Sequence, residues 1–288
     1  MGGTKVEGVV IDAQSEEVVA RLRVPTESAN GYEHILRQIE KLVLLLEQET
    51  QSTRPERIGI GTPGAAEPST GLMKNCNTTA LNGRPLPKDL EELIGSEMIV
   101  ANDANCFALA EARLGAARGS EVVFGIIMGT GVGGGIVVHG HVVNGAQGIA
   151  GEWGHIVLEP AGDSCYCGKV GCVETVLSGP ALERHYERLS GRHKSLRDIS
   201  TATGDPFAAA TLDRLVAKFG EAASVLINIL DPDVIVLGGG VGNVPALSER
   251  AVEALKPWVF NDTVRTQIRL PALGDSAGVF GAAMLVAG

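Results

Sequence analysis

The chain contains no run of lysine or arginine. Its 24 basic residues are scattered among 34 acidic ones, and the formal net charge is −10. Proteins grip nucleic acid by neutralising phosphates, so nucleic acid is excluded as a partner. Long apolar runs are missing too. No stretch approaches the ~20 residues needed to cross a bilayer, and the first residues lack the basic, apolar and small-residue order of a secretory leader. The expectation is a cytoplasmic protein with no membrane contact. Cysteine is scarce and odd in number, five in 288 residues. That excludes a disulfide framework and suits thiolates in a reducing compartment. Low-complexity segments and flexible linkers are also absent.

What is present is 44% hydrophobic residues, enough for one large core or two linked lobes. Residues 6–12 and 17–24 read as two strands about a turn, and 32–49 has the apolar spacing of an amphipathic helix. Residues 57–60 and 98–101 read as short buried strands, and 105–114 as a helix. A second series repeats the opening: strand 122–128, a glycine turn over 129–135 and strand 136–142. A long helix over 207–230, a buried strand over 234–237 closed by three glycines, and a helix over 245–255 follow. The order is α/β. Two halves that each open with a glycine-turned hairpin predict two lobes around a cleft, 1–104 and 105–275, with the small-residue helix in 276–288 packing back on the first.

Gly2-Gly3-Thr4-Lys5 stands just before the first strand, where small residues let backbone N–H groups approach an anion. Gly129-Thr130-Gly131-Val132-Gly133-Gly134-Gly135 repeats the device. A pair of such turns facing each other cradles a triphosphate from both sides. Because a net negative protein repels phosphate at long range, ATP here would depend on local amides and Mg2+ rather than on a basic patch. Gly238-Gly239-Gly240 ends a strand where an adenine or ribose can lie against bare backbone.

Asn102-Asp103-Ala104-Asn105 joins a buried strand to a helix. Asp103 is placed either to take a proton from an attacking hydroxyl or to cap the helix, and spacing alone leaves both open. Gly151-Glu152-Trp153-Gly154-His155 and Gly171-Cys172-Val173-Glu174 flank the strongest local signal, Cys165-x-Cys167-x-x-x-x-Cys172. Three thiolates and the His155 imidazole make a closed four-coordinate set, the mark of a structural Zn2+ rather than a hydrolytic one. Ligation through one ring nitrogen leaves the other as a donor, aimed where Glu152 and Glu174 also point, and a hexose hydroxyl fits. Cys76 and Cys106 read as buried packing residues, and Trp153 as packing for the sugar loop. His34, His139, His141, His185 and His193 have no ligand partner at useful spacing.

Taken together these motifs resemble the ROK family (repressors, open reading frames, sugar kinases) over nearly the whole chain. The resemblance implies the actin-like, ribonuclease H-like ATPase fold and two lobes closing over a sugar and MgATP. It also implies a homodimer. It implies that Asp103 is the catalytic base and that Asn102, Glu152, His155 and Glu174 contact the sugar, with Gly64 and Asn77 carried over as further sugar contacts. Within the family, residues 74–86 and the Cys165–Cys172 stretch look most like bacterial fructokinases, so the expected reaction is phosphorylation of fructose at O6. N-acetylglucosamine kinases and glucokinases share the same motifs. A repressor of the family would carry a helix-turn-helix before the glycine turn, and the sequence as given has none. Family members also place an apolar strand and an Asp, as Asp-x-Gly-Gly-Thr, ahead of that turn, where this sequence has Met1. The expectation is a start displaced downstream and an opened edge in the first sheet.

Overall fold

In the computed structural model, which describes residues 1–12, 14, 15 and 17–287, the first hairpin joins β1 (Lys5–Ile11) to β2 (Val18–Pro25), antiparallel from Lys5 opposite Pro25. Helix α1 (Tyr32–Thr50) covers it. Ile35, Ile39, Leu42 and Leu46 recur at helical spacing and are all buried. The chain continues through β3 (Arg57–Thr62), the two-residue strands β4 (Ala65–Ala66) and β5 (Met73–Lys74), α2 (Leu86–Ile94) and β6 (Glu97–Asn102). Strands β3 and β6 run parallel, with Thr62 beside Asn102. That register carries the end of β6 directly into α3 (Asp103–Arg113). Among the described residues, β1–β2 and β3–β6 are two separate pairs rather than one sheet, and the Met1 ammonium donates to the Gly61 carbonyl near the end of β3.

The second half opens with β7 (Val122–Met128), β8 (Val132–Val138) and β9 (His141–Val142). After a long loop come α4 (Val173–Leu177), α5 (Gly179–Ser190), α6 (Leu196–Thr201) and α7 (Pro206–Leu230). Ser178, Ser195 and Asp205 start the last three by accepting backbone N–H groups of Ala181, Asp198 and Phe207. The chain ends with β10 (Val234–Gly238), α8 (Gly239–Gly242), α9 (Pro245–Leu255), β11 (Gln267–Arg269) and α10 (Ala277–Met284). The second sheet has the order β11-β10-β7-β8-β9, parallel across β11, β10 and β7 and antiparallel beyond.

One apolar cluster fills the space between this sheet and helices α7 and α9, centred on Phe124, Leu215, Phe219 and Leu237. Another lies under α1 and α2, with Met73, Leu81 and Leu86. A third joins α3 to α10 through Phe107, Leu109 and Met284. Helix α10 lies so close to α3 that a Cβ on Gly281 would stand 1.7 Å from the Cys106 carbonyl oxygen. The segment 276–288 thus contributes a helix that packs on α3, β3 and β1, and its last residue lies outside the described residues.

The glycine run at 129–135 differs from the expected turn. Only the residues ahead of Val132 turn the chain, and Gly133, Gly134 and Gly135 belong to β8. The reason is packing: a Cβ on Gly135 would stand 2.5 Å from the Ala104 carbonyl oxygen of α3. The real break after β8 is His139 and Gly140, both with positive φ, at 49° and 76°. No helix of the described residues is long and apolar enough to cross a membrane.

Candidate functional site

At the β6–α3 junction Asn102 has extended backbone, and its side-chain oxygen accepts the Ala104 N–H at 2.7 Å. Asn102 is therefore the cap. Asp103 becomes the first helical residue, and its carboxylate is not the cap. Its surface is open to solvent, and the protein atoms packed around the β6–α3 junction push its carboxyl above the ordinary range by desolvation. The Ala104 N–H and the Met1 ammonium oppose that rise. The Met1 ammonium bonds the Gly61 carbonyl, and Gly61 lies opposite Ala101 on β6, so the start of the chain lies near the β6–α3 junction.

Glu152 precedes a short turn, Trp153–His155. Trp153 pins this turn: it is 3% exposed, meets Phe124 edge-on at 6.4 Å between centroids, and donates from Nε1 to the Gly133 carbonyl at 3.3 Å. The Glu152 carboxyl is raised, first by burial and then by the charges of Asp103 and Glu174, with His155 pulling the other way. These four groups share one electrostatic neighbourhood. Glu174 opens α4 and reaches 42 residues back along the chain, where its Oε2 accepts the Val132 N–H at 3.0 Å. One of its oxygens is thus tied to the start of β8, beside the turn at Gly129–Gly131.

Between Trp153 and Glu174 the loop folds on itself through bridges Val157–Cys172 and Ser164–Val170. Gly171 has φ 70°, and a Cβ there would stand 1.5 Å from the Glu159 carbonyl oxygen, so only glycine closes the fold. This geometry gathers His155, Cys165, Cys167 and Cys172, whose ligand atoms all lie within 4.8 Å of one another. His155 Nδ1 is 3.6 Å from Cys165 Sγ, and Cys167 Sγ is 3.6 Å from Cys172 Sγ. Tetrahedral zinc with Zn–S about 2.3 Å and Zn–N about 2.0 Å calls for separations of about 3.5 to 3.8 Å, so the donors fit. Burial pushes the Cys172 thiol up to about 12 and raises Cys165, while the Lys169 backbone N–H lowers Cys167. Ligation of a metal would require the three to deprotonate, the cation then compensating their charge.

His155 presents its other nitrogen, Nε2, to the Tyr166 hydroxyl at 3.0 Å, with the rings edge-on at 5.2 Å. The sequence reading assigned Tyr166 nothing, although an aromatic held between Cys165 and Cys167 was a usable signal. A cavity of about 160 Å³ has Thr130, Tyr166, Glu174 and Ser178 on its walls and leads from the glycine turn to this loop.

The remaining expected residues are more dispersed. In the Gly2–Lys5 turn the Gly2 N–H donates to the Lys5 carbonyl at 2.9 Å, and the Thr26 hydroxyl donates to the Gly2 carbonyl at 2.6 Å. In the second turn the Gly129 N–H donates to the Gly131 carbonyl, and the Gly129 carbonyl accepts from Gly179 at the start of α5. Thr130 is exposed at its tip. Gly238, Gly239 and Gly240 pass from β10 into α8. Gly64 is buried against Lys74 and Cys76, where a Cβ would stand 2.5 Å from the Lys74 carbonyl oxygen. Asn77, the residue after Cys76, is exposed, and Asn82, absent from the sequence reading, clamps that segment by bonding both the N–H and the carbonyl of Cys76. Cys76 and Cys106 are buried, 4% and 0% exposed.

Comparison with known proteins extends over the full length. The ROK family profile matches residues 1–288. The chain is 37% identical over 297 aligned residues to the N-acetyl-D-glucosamine kinase of Vibrio atlanticus (strain LGP32), covering 99% of this chain and 97% of that one. Among solved structures, the ROK hexokinase from Thermus thermophilus superposes with a TM-score of 0.89 at 34% identity, over 99% of this chain and 95% of that one. A ROK family glucokinase from Streptomyces griseus, solved with glucose and AMPPNP, gives a TM-score of 0.80 at 28% identity over 99% and 96%.

Proposed function

Because the chain belongs to the ROK family, with its actin-like ATPase fold, we propose that it is an ATP-dependent sugar kinase whose acceptor is an N-acetylated hexosamine. The kinase reading rests above all on one arrangement: a carboxylate not used as the helix cap, Asp103, sharing its electrostatic neighbourhood with Glu152, Glu174 and His155, with Glu174 tied to the start of β8 beside the second glycine turn. The sugar is chosen by relatives. Fructose, the expectation from sequence, finds no support among them, whereas N-acetyl-D-glucosamine kinases recur at 34 to 37% identity.

In this reading Asn102, Glu152, His155 and Glu174 orient the sugar, with Gly64 and Asn77 bordering it. Asp103 accepts the proton of the attacking O6 hydroxyl. The backbone N–H groups of Gly3 and Thr4 and of Thr130 and Gly131 hold the phosphates with Mg2+, Gly2 and Gly129 closing the two turns by donating to the Lys5 and Gly131 carbonyls, while Gly133, Gly134 and Gly135 give the second turn its strand support. Gly238, Gly239 and Gly240 border the nucleoside. Phosphoryl transfer asks mainly for alignment and charge neutralisation, which this set of groups supplies. Zn2+ bound by His155, Cys165, Cys167 and Cys172 would brace the sugar loop without entering the chemistry.

An ADP-release assay across N-acetylglucosamine, N-acetylgalactosamine, N-acetylmannosamine, glucose and fructose tests the proposal, with N-acetylglucosamine expected to give the highest kcat/KM. A preference for fructose would overturn the choice of acceptor, and no ADP with any hexose would overturn the kinase reading.

Two further outcomes are expected. A Cβ on Gly131 would stand 2.6 Å from Glu174 Oε2, so Gly131→Ala displaces that carboxylate. The sugar KM should then rise by about tenfold, roughly the worth of one misplaced hydrogen bond to a charged group, as steady-state kinetics would read. The pH profile should show an acid limb. The base must be ionised to act, and burial raises the Asp103 carboxyl. Activity therefore falls as pH drops through a value above the ordinary ~3.9 of an aspartate. An acid limb in kcat/KM at or below that figure would contradict the assignment.

A further inference from the structure

Tyr166 is 78% exposed, yet its hydroxyl is anchored. The phenol lies 3.0 Å from His155 Nε2, its ring stands at 90° to the imidazole, and Glu152 and Glu174 both bear on it electrostatically. These are three of the groups to which the sugar reading assigns hydroxyl contacts. With Nδ1 turned toward the cysteine sulfurs, the ring proton sits on Nε2, and Nε2–H donates to the phenol oxygen. A phenol hydroxyl offers one donor and two acceptor sites, the same set as a sugar hydroxyl. Nothing buries the ring on its outer side, so it can leave toward solvent without breaking a core contact, and it forms part of the wall of the cavity that opens toward Thr130 and Ser178.

We propose that Tyr166 sets the affinity for sugar by competing with it: the phenol hydroxyl holds His155 Nε2 while the site is empty, and the ring swings outward when a hexose hydroxyl takes its place. The proposal rests on the sugar-kinase reading. It makes Tyr166 a positioning residue with a definite signature. Sugar binding must first break the Tyr166–His155 contact, so the apparent dissociation constant exceeds the intrinsic one by a factor of one plus the population ratio of latched to open forms. A hydrogen bond of ordinary net strength makes that ratio about threefold to tenfold.

The test uses the zinc-loaded protein and its Tyr166→Phe variant, which keeps the ring and deletes only the competing hydroxyl. Expected are a hexose KM, and a calorimetric Kd without nucleotide, lower by about threefold to tenfold. The KM for ATP and kcat should stay within about twofold, with zinc content unchanged. An unchanged or raised hexose KM and Kd would overturn the proposal, the raised value marking Tyr166 as a sugar ligand instead. Loss of zinc from the variant would also overturn it, showing that the phenol braces the metal loop. The two readings fail separately. Hexose binding without turnover in the wild type counts against the kinase reading alone, and the Kd ratio still decides Tyr166. No hexose bound by either protein overturns both.

Discussion

Asp103→Asn is expected to lower kcat by about 10² to 10⁴ while hexose binding persists and the fold is no less stable. Asparagine has the shape of aspartate and cannot take a proton. The helix start survives because its cap is Asn102, whose oxygen holds the Ala104 N–H, and not the mutated residue. Stability follows from the sign of the pKa shift. The folded-state carboxyl is raised, first by burial. A group of that kind stabilises the fold fully only below its unfolded pKa, and the benefit is lost as pH rises through the folded value. At neutral pH the ionised Asp103 is therefore a burden on the fold, and Asn relieves it. Thermal unfolding should show Tm unchanged or slightly raised beside the lost turnover, a combination that separates chemistry from structure. Near-normal turnover would remove Asp103 from the base role.

Cys172→Ser is expected to release the metal and to weaken sugar binding by about 10- to 100-fold, leaving ATP binding within about threefold. Cys172 is fully buried and sits two residues before Glu174, at the start of α4. Its backbone carbonyl also accepts the Thr175 N–H in the first turn of that helix. Without the metal the loop that carries His155 should lose its tie to α4, and Glu152 and Glu174, the carboxylates assigned to the sugar in the proposed function, should lose their register. The Gly2–Lys5 turn, to which the proposed function assigns phosphate contacts, leads into β1 and lies outside that loop. Metal analysis, calorimetry with sugar and with nucleotide, and thermal unfolding read the three parts of the expectation. Equal loss of both affinities, or a folded and fully active preparation without stoichiometric zinc, would refute the bracing role.

The elements that were legible in advance are those with a local cause. Strand 122–128 and helix 245–255 appear with the expected bounds, and helix 32–49 gains one residue. Their periodicity and end signals lie within the segments themselves. The glycine run was misjudged because glycine has two uses. At Gly129–Gly131 it turns the chain, whereas at Gly133–Gly135 it lets a strand lie against α3, and only the neighbour distinguishes the two. Helices α5 and α6 were passed over although Ser178 and Ser195 cap them, because their apolar positions are few. At Asn102-Asp103 one backbone angle pair and one hydrogen bond make Asn102 the cap, and the base role of Asp103 rests on the proposed function.

The chain by itself determined the grouping of His155 with Cys165, Cys167 and Cys172, the strand-to-helix placement of Asp103 and the α/β order of elements, because each is written in local motifs and in the periodicity of single segments. Tertiary structure alone decided that Glu174 is anchored to Val132, that Tyr166 latches His155, that the first four long strands form two pairs, and that α10 lies on α3. Those contacts join segments whose mutual distance is fixed by how helices and sheets of particular shape pack, and periodicity along a chain carries no record of that.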